Sequence, residues 1–102
     1  MKLTQADSGG RRSARVGETF TVALAESPTT GYRWHAEIDT SALLQTNDRF
    51  DGPTEPRGAA GTRQLTFTVL RAGLTRLTVV KRRSWEADVV DEFALDIQVE
   101  AD

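Results

Sequence analysis

Apolar and polar residues alternate strictly in several stretches of this chain, and that pattern restricts the fold more than any other feature. Phe20, Val22 and Leu24 share one phase against Thr19, Thr21 and Ala23. Leu65, Phe67 and Val69 oppose Gln64, Thr66 and Thr68 in the same way, and Phe93, Leu95, Ile97 and Val99 oppose Glu92, Asp96, Gln98 and Glu100. Side chains point to opposite faces with a period of two only in a strand, so each stretch reads as a strand with one packed and one wet face. Leu74, Leu77, Val79 and Val80 form another strand after Gly73, and Tyr32, Trp34, Ala36 and Ile38 a further one. A short strand is expected around Leu3. Only Thr40 to Gln45 looks locally helical, and it is too short for more than a turn. Short strands without a real helix, punctuated by Gly and Pro, predict two packed β-sheets.

A length of 102 residues fits one domain, residues 1–102, since two cores would leave neither enough buried surface. The chain has no cysteine, so the fold is expected to stand without a disulfide. No run approaches the ~18 apolar residues of a membrane span, and Met1 to Arg15 hold no apolar signal-peptide core. The expectation is a cytoplasmic protein or the mature form of an exported one. A net charge of −2, with thirteen basic residues spread among fifteen acids, gives no attraction to nucleic acid.

Two segments look irregular. Ser8 to Arg12 contains Gly9 and Gly10 and reads as a turn between strands. Asp48 to Gly61 is longer and carries Pro53, Pro56 and three glycines, at 52, 58 and 61. Long connections of this kind are uncommon in compact domains and often functional.

Three segments carry residues better suited to contact than to scaffold. In Ser27-Pro28-Thr29-Thr30-Gly31-Tyr32, proline fixes its own φ and glycine permits a positive one, so the turn is tight and rigid. Gly58-Ala59-Ala60-Gly61-Thr62 is nearly free of side chains and lets another molecule approach the backbone closely. It lacks the ending of a phosphate loop and the strand–loop–helix setting of a dinucleotide site. In Arg82-Arg83-Ser84-Trp85-Glu86, a tryptophan among charges is hard to bury, and exposed Trp and Arg are enriched at binding hot spots. Trp34, in phase with apolar neighbours, is assigned to the core instead.

Catalysis finds little support. The lone His35 is read as a solvent-facing strand residue with nothing to activate, and no metal or cofactor set is present. Asp88, Asp91 and Glu92 form an acidic patch without the spacing of a calcium loop, and read as a solvated face.

Taken in order, the three segments resemble the binding loops of the chagasin family, protein inhibitors of papain-like cysteine peptidases. Family members carry Asn-Pro-Thr-Thr-Gly-Tyr, then Gly-x-Gly-Gly, then Arg-Pro-Trp or Arg-Pro-Phe. Pro28 to Tyr32 match the first motif, with Ser27 in place of Asn. Gly58 and Gly61 match the second, with Ala60 where a glycine is expected. Arg83 and Trp85 match the third, with Ser84 in place of proline.

The resemblance implies an immunoglobulin-like β-sandwich of about seven antiparallel strands without the disulfide. It also implies a monomer that inhibits by placing three loops, gathered at one end, in the peptidase cleft without covalent chemistry. The second loop would cross the catalytic centre, the first would contact the catalytic region, and in the third loop, Arg83, Ser84, Trp85 and Glu86, the residues Arg83 and Trp85 would pack on the primed side. The alternative is an immunoglobulin-like adhesion or ligand-binding module with no inhibitory activity.

Overall fold

The structure is a computed structural model and describes residues 1–52 and 60–101. The described residues form eight strands: β1 (Lys2–Thr4), β2 (Arg11–Arg15), β3 (Thr19–Glu26), β4 (Tyr32–Glu37), β5 (Leu43–Asp51), β6 (Gly61–Val69), β7 (Gly73–Arg83) and β8 (Asp91–Glu100). They form two four-stranded sheets, ordered β1-β3-β6-β5 and β2-β8-β7-β4. One apolar core draws on every strand, from Leu3 and Ala14 at the start of the chain to Phe93, Leu95, Ile97 and Val99 at its end. Phe20 and Phe67 sit directly opposite each other across β3 and β6, both fully buried.

The alternation works as expected in β3, β6 and β8, whose apolar phases are buried throughout. Trp34 is buried, as assigned. In β7 the pattern splits: Leu77 and Val79 face the core, while Leu74 and Val80 belong to the other face, where Leu74 is exposed and Val80 is covered.

The sandwich of about seven strands is present as eight among the described residues, and two of the pairings are parallel rather than antiparallel. Neither β2 nor β5 shows an alternating apolar phase. The segment Arg11–Arg15 buries only Ala14, and its role is to run parallel to β8. Likewise β1 runs parallel to β3, so the N-terminal segment lines one edge of each sheet in turn.

The local turn expected over Thr40 to Gln45 is shorter. The Asp39 carbonyl accepts from the Ala42 and Leu43 amides at 2.9 and 3.0 Å, and Leu43 already starts β5. The irregular stretch expected from Asp48 to Gly61 is also narrower, because Asp48 to Asp51 continue β5 and Gly61 opens β6. As an edge strand, β5 buries only Leu43; Phe50 is half-buried and its other residues are exposed, with a register shift between Gln45 and Asn47. Nothing in its hydrophobic pattern marks it.

Register fixes which connections lie together. Glu26, the last residue of β3, pairs with Gly61, the first of β6, and Asp51 at the end of β5 pairs with Thr62. In the other sheet Tyr32, the first residue of β4, pairs with Arg83, the last of β7. The β3–β4 connection passes between the sheets at this same end. The β3–β4, β5–β6 and β7–β8 connections therefore emerge together. Met1, whose ammonium group donates to the Thr19 carbonyl, and Glu100, the last residue of β8, lie at the opposite end.

Candidate functional site

The first connection is held by its own backbone. Pro28–Thr30 form one 3-10 turn in which the Thr30 amide and hydroxyl both donate to the Ser27 carbonyl, at 3.2 and 2.8 Å. The Tyr32 amide in turn donates to the Thr30 hydroxyl at 3.3 Å. Ser27 makes no side-chain cap; its carbonyl does the closing. Gly31 then reverses the chain with φ 80° and ψ −9°, a conformation that glycine adopts without steric penalty. Pro28 and Thr29 are left exposed at the tip.

The third connection is packed onto the first. Trp85 is 72% exposed, as expected, yet the rim of its ring lies 3.0 Å from the position a Cβ at residue 31 would occupy. Any side chain there would have to displace the indole. The Arg83 guanidinium lies 4.5 Å from the centre of the Tyr32 ring and 6.0 Å from that of Trp85. It also pairs with Glu86 at 3.2 Å, so its direction is fixed from three sides. The adjacent Arg82 folds back on the turn, one terminal nitrogen reaching the carbonyls of Arg83, Ser84 and Glu86 at 3.3 to 3.4 Å. Two consecutive arginines thus do different work. Arg82 shapes the turn, and Arg83 ties it to Tyr32.

Of the second segment, Gly58 and Ala59 lie outside the described residues. Ala60 is exposed, and Gly61 and Thr62 belong to β6. A Cβ at Gly61 would meet the Phe50 ring at 2.5 Å, the Asp51 carbonyl at 2.6 Å and the Gly52 Cα at 2.8 Å. The chain's own packing demands this glycine: the two arms of the connection approach so closely that only hydrogen fits.

Beneath the loops lies a polar cluster that the sequence reading did not pick out. Glu26 is 1% exposed. One carboxylate oxygen accepts from the Trp34 amide at 3.0 Å, and the other from two Arg63 nitrogens at 3.1 and 2.7 Å. A further Arg63 nitrogen reaches Asp48 at 3.0 Å, and these partners hold the guanidinium above its usual pKa, Glu26 foremost. The Trp34 indole donates to the Ala25 carbonyl at 2.9 Å. The signal was available: Glu26 continues the inward phase of Phe20, Val22 and Leu24, and Arg63 that of Leu65 and Phe67. Opposite charges on inward phases of paired strands predict a buried ion pair.

His35 departs from its solvent-facing reading. It is half-buried opposite Val80, and its Nε2 is shielded from solvent without a partner. Burial pushes its pKa below the ordinary value, and the nearby Arg82 charge adds to this. Asp88, Asp91 and Glu92 are exposed, and no cluster among the described residues could hold a metal ion.

The crystal structure of the cysteine protease inhibitor EhICP2 from Entamoeba histolytica matches with a TM-score of 0.86 at 19% identity, covering 97% of this chain and 94% of that one. The solution structure of amebosin matches at 0.78 and 26% identity, covering 98% and 97%. PbICP-C, solved in complex with falcipain-2, matches at 0.62 and 14% identity, covering 100% of this chain and 90% of that one. No curated protein matches. The family model described as Chagasin family peptidase inhibitor I42 matches residues 13–97, most of the chain, a span that includes all three motif segments. The chain belongs to the chagasin family of peptidase inhibitors.

Proposed function

We propose that residues 1–102 act as one inhibitor domain that blocks papain-like cysteine peptidases reversibly and without covalent chemistry, using the three connections at one end of the sandwich. The observation that carries this reading is the lock between the first and third connections. Trp85 lies against Gly31, and Arg83 is held between Tyr32 and Trp85, so two separate segments present one preformed edge. Preorganised side chains lose little freedom on binding, and Trp, Tyr and Arg are the residues enriched at hot spots. The family and the complex of PbICP-C with falcipain-2 support the same partner class.

In this reading Ser27 to Tyr32 contact the catalytic region, and Gly58 to Thr62 cross the catalytic centre. Arg83, Ser84, Trp85 and Glu86 pack on the primed side. A cleft built to accept an extended backbone is closed by occupancy alone.

The deciding experiment measures residual activity of papain and of a cathepsin-L-like enzyme against rising concentrations of the purified chain. Affinity should fall between about nanomolar and micromolar, as for an interface of roughly 800 Å² per partner. Serine peptidases should be unaffected. Absence of inhibition at about 10 μM, roughly −7 kcal/mol of binding, would overturn the proposal.

A further inference from the structure

Glu26 is the only buried charged residue among the described residues. It sits where the first connection leaves β3, and it is not itself part of that connection. Its two oxygens face two different parts of the molecule. Oε1 accepts from the Trp34 amide in β4, just beyond the point where the first connection ends. Oε2 accepts from Arg63 in β6, just beyond the point where the second connection ends. Arg63 lies in turn 5.6 Å from the centre of the Phe50 ring, and Phe50 is the side chain lodged against Gly52 and Gly61.

We propose that Glu26 is a positioning residue for inhibition: one buried carboxylate sets the spacing between the first and second loops through Trp34 on one side and Arg63 and Phe50 on the other. This rests on the inhibitor reading above, which gives that spacing its purpose.

The chemistry requires a carboxylate. Both partners are donors, the Trp34 amide on one side and the Arg63 guanidinium on the other, so both oxygens must accept. Glutamine has the same shape but one oxygen only. Its NH2 group must face a donor on one side, so one link is lost while the volume is kept. The Arg63 guanidinium is 13% exposed and keeps a second anchor at Asp48, so its displacement is partial and directed at the stem of the second loop.

The test compares wild type, Glu26→Gln and Val69→Ala. Val69 is a buried core residue at the far end of β6 and touches neither loop, so it reports on lost stability alone. Inhibition of papain is measured at a temperature where all three remain folded. Backbone amide shifts of the free proteins are recorded at Gly31, Tyr32, Ala60 and Gly61. Glu26→Gln should raise Ki roughly tenfold, about 1.4 kcal/mol of lost binding. It should also move amides in both loops. Val69→Ala should keep Ki within about threefold, because distant sites act independently, and leave those amides in place.

A Glu26→Gln inhibitor as tight as wild type overturns the proposal, as do shifts confined to one loop or an equal loss in Val69→Ala. Should wild type inhibit neither papain nor a cathepsin-L-like enzyme, the inhibitor reading falls, and the amide shifts alone decide whether Glu26 couples the two loops.

Discussion

Trp34 and Trp85 lie at the same end of the sandwich and use their aromatic surface differently. The first is buried and donates its indole hydrogen to Ala25; the second is largely exposed, with one rim resting on Gly31. Trp34→Ala should destabilise the fold by about 3–5 kcal/mol, as large-to-small core changes do, which a denaturant titration would measure. Trp85→Ala should leave the melting temperature nearly unchanged and weaken inhibition by about 1–3 kcal/mol. Loss of folding in Trp85→Ala would contradict the contact role. Gly31→Ala should cost about 1–2 kcal/mol from its left-handed backbone alone. It should also displace the Trp85 ring, so inhibition should weaken in parallel with stability. His35 adds a pH dependence. Its folded pKa is lowered by burial and by Arg82, so the unfolded chain binds the proton more readily. Stability from this group is complete above its ordinary pKa of about 6.5 and falls as the pH drops below it. His35→Gln should flatten the decline in melting temperature between about pH 7 and pH 5, a window set by that pKa. Both tryptophan assignments were legible from phase and neighbours. The cover over His35 was not, because Val80 and the folded-back Arg82 lie on a face that alternation marks only as wet.

At the scale of the elements, the loops that carry the motifs were visible because Pro, Gly and Trp interrupt alternation. What the sequence hid was how far the strands reach into them. Arg83 ends β7 and Tyr32 begins β4, directly opposite each other, so the first and third connections are continuations of one ladder. Gly61 shows the same blending, since its lack of a side chain is already required by Phe50 and Gly52. Edge strand β5 stayed hidden because neither of its faces is packed along its length. Ala60 sits at the remaining question of the second segment. Where alanine fits the backbone without strain, Ala60→Gly should lower stability by about 0.4–1 kcal/mol through the greater freedom of the unfolded chain. It should tighten inhibition of papain by a modest factor, because in the proposed binding mode a methyl is removed where the peptidase would approach the backbone. Weaker inhibition by Ala60→Gly would show that the methyl already suits its partner, and that this segment enters a different kind of cleft.

For the whole molecule, two packed sheets and an extended core followed from alternation, whereas the parallel pairings of β1 and β2 did not, because pairing direction leaves no mark in hydrophobic period. Those pairings join residues far apart in sequence, Ser13 with Gln98 among them, and non-local pairing of this kind slows folding. Refolding should accordingly take milliseconds to seconds, the range for β-sandwiches, in stopped-flow fluorescence. Inhibition by a rigid end should also leave the inhibitor whole. After overnight incubation with active papain, mass spectrometry should return the intact chain, and a cut between residues 58 and 62 would recast it as a slow substrate. The same architecture places Met1 and Glu100 at the end remote from the three connections. A biotin or a fused carrier at either end of this sequence would thus point away from the proposed recognition edge. An immobilised layer of this protein would display every copy with its reading end outward, and capture kinetics should be the same whichever terminus is anchored.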